Sequence, residues 1–259
     1  ENKAGATGTI GIQMVTKAEP DGYTLMANDT TYALLPHIFK KLPFDHGNDL
    51  MPVSAFAFTP MALAVHANAK YKTLRELVAD AKAQPNKISY GSGGAGTTPH
   101  FASEALGIAS GANFMHIPFK GAAEATQAVL SGTIDMQIAS TTGLMPNVRG
   151  GKLRLLAVSG DKRVASLPDV PTFAEQGFKD MVHSEWFAFF LPAKAAPELV
   201  ARMNSALKAA LASKDVVDGL ATFGLEAMSS SPSELVDLLR QDTAKWAPIV
   251  KTIGFTADA

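Results

Sequence analysis

The run Gly91-Ser92-Gly93-Gly94-Ala95-Gly96-Thr97-Thr98 holds the densest set of residues that could bind a ligand. It sits between a predicted strand, Lys87-Ile88-Ser89-Tyr90, and a helix-like stretch through Phe101–Leu106. Glycines let successive backbone amides turn toward one point, and a following helix N-terminus adds partial positive charge. Ser92, Thr97 and Thr98 carry hydroxyls that can donate to carboxylate or phosphate oxygens. The pattern suits an anion cradle without a formal charge. It suits equally well a flexible strand-to-helix turn capped by Thr97 or Thr98, and the spacing alone favours neither.

Gly91, Gly93 and Gly96 match G-x-G-x-x-G. The dinucleotide fingerprint also needs an acidic residue ~20 positions on, to hold the ribose. That region is Phe114-Met115-His116-Ile117-Pro118-Phe119-Lys120, which carries no acid. A phosphate-binding G-x-x-x-x-G-K-[ST] loop and a G-x-S-x-G nucleophile elbow are both absent. The six histidines, at 37, 46, 66, 100, 116 and 183, form no H-E-x-x-H. His100 and Glu104 are four apart, a spacing that makes surface pairs more often than metal sites. Carboxylates are scattered, with no evident acid–base couple. No catalytic residue, metal or cofactor is assigned.

Three further polar loops follow predicted strands. Asn28-Asp29-Thr30-Thr31-Tyr32 comes after Tyr23–Ala27 and leads into Ala33–Pro36. It reads as the cap of a short helix and as a polar lip at a strand's carboxyl end, where open α/β sheets bind ligands. Phe119-Lys120-Gly121-Ala122 and Ser140-Thr141-Thr142-Gly143 end strands in the same way.

The elements that position these loops alternate along the chain. Strands are predicted at Pro60–His66, Phe114–Ile117, Ile134–Ala139, Leu153–Ser159 and Trp186–Leu191, with a helix over Ala122–Ser131. Thr73-Leu74-Arg75-Glu76 and Ser231-Pro232-Ser233-Glu234 are capping boxes. Pro197 opens a helix striped by Leu199, Met203, Ala206, Ala210 and Leu211. Trp186, Phe187, Phe189 and Phe190 read as a buried strand. Strands separated by helices imply α/β architecture and a largely parallel sheet.

Composition bounds the rest. With 259 residues, the chain makes one large domain or two ordinary ones. At 47% apolar and 18% charged it can bury a core, which excludes wholesale disorder. A net charge of −1 gives no basic field for nucleic acid or an anionic membrane. No apolar run reaches the ~18 residues of a membrane span. Without cysteine there are no disulfides and no thiolate chemistry.

Taken together the motifs resemble the extracytoplasmic solute receptors of the tripartite tricarboxylate transporter family, the Bug receptors. The matching stretches are Glu1-Asn2-Lys3 with Gly8–Gly11, Pro20–Leu25, Tyr90–Ser92 with Gly94, Gly96-Thr97 and His100, and His116–Gly121. Gly151–Arg154, Leu167–Thr172 and Lys245-Trp246-Ala247 continue the series in family order.

The resemblance implies a two-lobed periplasmic binding protein fold, type II-like, its lobes joined by two crossing strands. Lobe one would be residues 1–64 plus 187–259, and lobe two residues 65–186. Such receptors close over a small carboxylate and deliver it to membrane subunits. The chain is therefore expected to be a periplasmic, monomeric, non-enzymatic receptor with a small carboxylate as ligand and no nucleic-acid partner. Carried over by position, Ser92, Gly94, Gly96, Thr97, Thr98 and His100 form the lobe-two cradle. Asp29, Thr30, Thr31 and Tyr32 give the lobe-one contact, and Lys120, Gly121, Ala139, Ser140 and Thr141 line the cleft. Many members carry an acid near Ala139 that could meet an ammonium. Its replacement here implies a ligand without an amino group: a dicarboxylate, hydroxy acid or aromatic carboxylate. Members begin several tens of residues earlier, behind a signal peptide, with a strand, a helix and a proline-glycine loop that also grips the carboxylate. The resemblance implies that this segment is missing ahead of Glu1. The rival readings are a nucleotide-dependent enzyme using the Gly91–Gly96 loop and a metabolite sensor for a signalling partner.

Overall fold

The computed structural model describes residues 1–3 and 5–257. Its elements, in chain order, begin with α1 (Thr9–Thr16), β1 (Met26–Asp29), α2 (Thr31–Ile38), β2 (Leu50–His66) and α3 (Leu74–Ala83). Next come β3 (Ser89–Ser92), α4 (Thr98–Ser110), β4 (Met115–Pro118), α5 (Ala122–Leu130), β5 (Met136–Ser140) and α6 (Thr141–Arg149). The chain continues through β6 (Leu153–Val158), β7 (Ser184–Pro192), α7 (Pro197–Leu211), α8 (Lys214–Thr222), β8 (Glu226–Ala227) and α9 (Pro232–Ile253).

The chain divides into two compact units, one of Glu1–Phe58 with Trp186–Ala259, the other of Thr59–Glu185. It passes between them twice, within β2 and within β7. The sequence placed these divisions after residues 64 and 186; they fall after Phe58 and Glu185. Both strands run unbroken through the change, so their apolar pattern does not mark it.

In the Thr59–Glu185 unit, β3 pairs in parallel with β4 and with β5. The second half of β2 lies antiparallel to both β5 and β6. Met61 to Val65 are fully buried there. A strand covered on both faces reads as a continuous apolar run, which is why Pro60–Val65 shows no alternation. Leu144, Val129, Ile134, Leu155 and Val158 pack into the same core. Truncating one such side chain to alanine costs ~2–5 kcal/mol. The helix α3 is held by its capping box: Glu76 N–H donates to Thr73 Oγ1 at 3.2 Å, and Thr73 N–H to Glu76 Oε2 at 3.1 Å.

In the other unit, β1 lies antiparallel to β7, and the first half of β2 antiparallel to β8. The expectation of a largely parallel sheet therefore holds only for β3, β4 and β5. The pairings of β1 with β7 and of β2 with β5, β6 and β8 are antiparallel, because these long strands are met by neighbours running against them, not by βαβ crossovers. Helix α9 carries the second capping box, Ser231 with Glu234. It buries Leu235, Trp246 and Val250. Trp186 of β7 donates its indole N–H to Asp242 of α9. Val53, Leu191, Ala195 and Val200 form a further apolar cluster.

Several boundaries differ from the sequence reading. The first strand starts at Met26, and Tyr23 is 93% exposed. The polar loop expected at Ser140–Gly143 is the end of β5 and the first residues of a helix over 141–149. No helix among the described residues is long and apolar enough to cross a membrane.

Candidate ligand-binding site

The site is built on the carboxyl edge of β5, β3 and β4. These strands are adjacent and parallel, so they end on the same side. Each leads directly into a helix: β3 through residues 93–97 into α4, β4 through residues 119–121 into α5, and β5 straight into α6. Three helix N-termini thus open at one edge. The cap residues are Thr97, Gly121 and Ser140, and none uses its side chain to accept from its own helix. First-turn amides without such a cap are served by other partners, water or a ligand, and they carry the positive end of the helix dipole. Among the described residues no group of three or more histidines and carboxylates could hold a metal ion.

The glycine loop is tightly organised. Ser92 is fully buried. Its Oγ lies 2.9 Å from the Gly94 carbonyl and 2.7 Å from His116 Nε2, and it accepts from Gly94 N–H at 3.3 Å. Thr97 Oγ1 donates to the same Gly94 carbonyl at 2.7 Å. Gly96 N–H donates to His100 Nδ1 at 3.2 Å. Gly94 and Gly96 have φ of 135° and 85°, values that favour glycine. Gly93 is required for another reason. A Cβ there would lie 2.9 Å from the backbone nitrogen of Ala122, the first residue of α5. The loop therefore rests directly on a neighbouring helix N-terminus. Phe119 N–H, donating to the Ser92 carbonyl at 3.0 Å, ties the two loops together.

The other residues expected in this unit lie at the same edge. Thr98 and His100 are buried in the first turn of α4. Lys120 is exposed, and its backbone N–H donates to Glu124 at 3.2 Å. Gly121 and Ser140 are half-buried caps. Ala139 is buried opposite Ala62 in the sheet. Thr141 Oγ1 lies 2.8 Å from Thr59 Oγ1, bracing α6 against β2. A buried amide serves α5: Gln137 donates to the Ala122 carbonyl at 3.2 Å and accepts from Thr126 at 2.9 Å.

Asp29, Thr30, Thr31 and Tyr32 lie in the other unit, where β1 ends and α2 begins. Thr30 Oγ1 accepts from Trp186 N–H at 2.9 Å. Tyr32 donates its hydroxyl to the His46 carbonyl at 2.8 Å and stacks on that ring at 4.2 Å. The Asp29 carboxylate accepts from Thr31 N–H at 2.7 Å. Burial pushes its pKa up, against the lowering effect of the Thr31 bonds.

Two residues of the loop's support were missed in the sequence: Tyr90 and His116. Tyr90 of β3 stacks on His116 of β4 at 4.8 Å, and His116 on His100 at 4.2 Å. Tyr90 donates its hydroxyl to Glu104. The available signal was positional, since each lies two residues before its strand's last residue.

A family described as the tripartite tricarboxylate transporter family receptor, TctC, matches residues 1–255. The chain belongs to that receptor family. It is similar to Protein BugT of Bordetella pertussis, at 30% identity over 98% of this chain and 78% of that one. Among solved structures it resembles R. palustris Rpa4515 with adipate, at TM-score 0.94 and 26% identity, covering 99% of this chain and 86% of the other. MatC from Rhodopseudomonas palustris with bound malate matches at TM-score 0.89 and 26% identity, over 96% and 86%. The family is one of periplasmic solute-binding receptors, not of enzymes. Its two-lobed α/β fold is the one described above.

Proposed function

We propose that this receptor works in the periplasm, captures a small carboxylate lacking an amino group, and presents it to the membrane subunits of a tripartite transporter. The observation that carries the reading is the shared edge of β5, β3 and β4, where three helices open around a pre-ordered glycine loop. Backbone amides and helix dipoles hold an anion without reacting with it. Ser92, Gly94, Gly96, Thr97, Thr98 and His100 are assigned to the cradle, with Lys120, Gly121, Ala139, Ser140 and Thr141 beside it. Asp29, Thr30, Thr31 and Tyr32 are assigned as further ligand contacts. Micromolar affinity corresponds to about 8 kcal/mol, within reach of several charge-assisted hydrogen bonds and the exclusion of water.

The ligand class follows from Ala139-Ser140-Thr141. No carboxylate stands in that stretch to meet an ammonium. Structural relatives, one with adipate and one with bound malate, support the same class. Isothermal titration with malate, adipate, benzoate, aspartate and glutamate tests the reading. Binding of an amino-free acid, with aspartate and glutamate at least tenfold weaker, is expected. Tight binding of aspartate or glutamate and none of the plain acids would overturn it.

A further inference from the structure

The cradle is backed by a row of three stacked rings. Parallel register puts Tyr90 opposite His116, so their rings stack at 4.8 Å and 15°. His100, in the first turn of α4, stacks on the other histidine at 4.2 Å and 16°. Each imidazole reaches the loop through one nitrogen. His100 Nδ1 accepts from Gly96 N–H at 3.2 Å, and His116 Nε2 lies 2.7 Å from Ser92 Oγ.

These contacts point to one arrangement of the protons. A backbone N–H can only donate, so His100 Nδ1 is bare and its proton sits on Nε2. Ser92 has a single hydroxyl proton, and the Gly94 carbonyl takes it at 2.9 Å. With the proton so placed, His116 Nε2 donates to Ser92. The relay runs from His116 through Ser92 to Gly94, whose carbonyl also receives the Thr97 hydroxyl. Every loop residue with positive φ is thereby fixed by one of the two rings.

We infer that His100 and His116 are a matched pair of positioning residues, both neutral and both in the Nε2–H form, that order the glycine loop before the ligand arrives. The inference rests on the reading of that loop as the carboxylate cradle. A flexible glycine segment would otherwise lose its conformational freedom at the moment of binding, at a cost in affinity. A neutral acceptor at His100 suits this task. A protonated ring would turn an N–H toward the Gly96 N–H, donor against donor. Burial agrees with neutrality: it pushes His100 down to about 3, helped by His116, and His116 down to about 4.

Shape-matched substitutions test the pair. Asparagine places an oxygen where Nδ1 stood, and glutamine places an NH2 where Nε2–H stood. His100→Asn and His116→Gln therefore retain the contacts, whereas the crossed variants His100→Gln and His116→Asn lose them at similar polarity. The readouts are long-range 15N imidazole spectra and Gly96 amide exchange on the free protein, and affinity for malate and adipate. Wild type should show Nε2–H on both rings. Each matched variant should bind more tightly than its crossed counterpart at the same position, whatever its own loss against wild type. The crossed variants should bind about tenfold more weakly than the matched ones, the scale of one hydrogen bond, and His100→Gln should speed Gly96 exchange by a similar factor. An Nδ1–H proton on His100, or crossed variants indistinguishable from matched ones, would overturn the pair. Should neither malate nor adipate bind the wild type, that failure falls on the ligand assignment. The tautomers and Gly96 exchange still decide the pair.

Discussion

Removing both imidazoles while keeping their contacts should flatten the protein's stability in mild acid. His100 is 4% exposed and its pKa is pushed down to about 3; His116 is half-buried and pushed down to about 4. In the unfolded chain both return to ~6.5. A lowered folded pKa means that the folded state resists protonation. Stability is then fully present above pH ~6.5 and drains as pH falls, because the unfolded chain takes up protons that the folded one refuses. The loss stops near pH 4 for His116 and pH 3 for His100. Between pH 7.5 and pH 5 each histidine accounts for at most about 2 kcal/mol, so the pair reaches about 4 kcal/mol. Groups whose pKa falls below the usual carboxylate range, such as Asp80, Glu76 and Glu175, act at lower pH. Burial lowers His46 as well, but it is present in both proteins and cancels. Urea unfolding of wild type and His100→Asn/His116→Gln at the two pH values measures the difference. The variant should lose about 3–4 kcal/mol less than wild type on acidification. Equal losses, within 1 kcal/mol, would refute the claim that these rings are held neutral by the fold.

Three simpler expectations accompany it. Gly93→Ala meets the backbone nitrogen of Ala122 at 2.9 Å, which cannot step aside as a side chain can; it should cost ~1–3 kcal/mol in denaturant melts and at least tenfold in carboxylate affinity. Gly121→Ala is the control, because its φ of −176° is open to any residue and nothing lies within 4 Å of the new methyl, so stability should stay within ~0.5 kcal/mol. Tyr90→Phe leaves the Glu104 carboxylate without the hydroxyl that donates to it, and should cost ~1–3 kcal/mol by thermal unfolding while the ring stack persists.

The elements legible in the sequence were those whose causes are local. A threonine or serine three residues before a glutamate satisfies two backbone amides on the spot, so both capping boxes stood where the spacing put them. The glycine loop was legible too, because only glycine admits the φ of Gly94 and Gly96 without strain. What escaped depended on partners far along the chain. Strand β2 runs for 17 residues through Pro52 and Pro60, yet each proline reads locally as a breaker. Helix α6 carries Gly143 and Pro146 and starts at Thr141, whose hydroxyl meets Thr59, 82 residues away.

The same division runs through the site. Sequence listed Ser92, Thr97 and Thr98 as hydroxyl donors aimed at a ligand, since residue type says what a group can do. It does not say which capacity the fold has already used. The Ser92 hydroxyl is engaged by the Gly94 carbonyl and by a histidine 24 positions on, and Thr97 also serves Gly94. Gly96 N–H is taken by His100. The Ser92 and Thr97 hydroxyls therefore shape the loop, and on the proposed function the work of meeting an anion shifts to the helix N-termini around it. This shift separates two kinds of variant. Ser92→Ala should loosen the loop and weaken every carboxylate alike. A change on the rim, such as Ser140→Ala at the α6 cap, should alter the ranking of carboxylates while leaving Gly96 exchange unchanged. If Ser92→Ala instead reorders the ligands, its hydroxyl reaches them directly and the division drawn here between shaping and contacting groups is wrong.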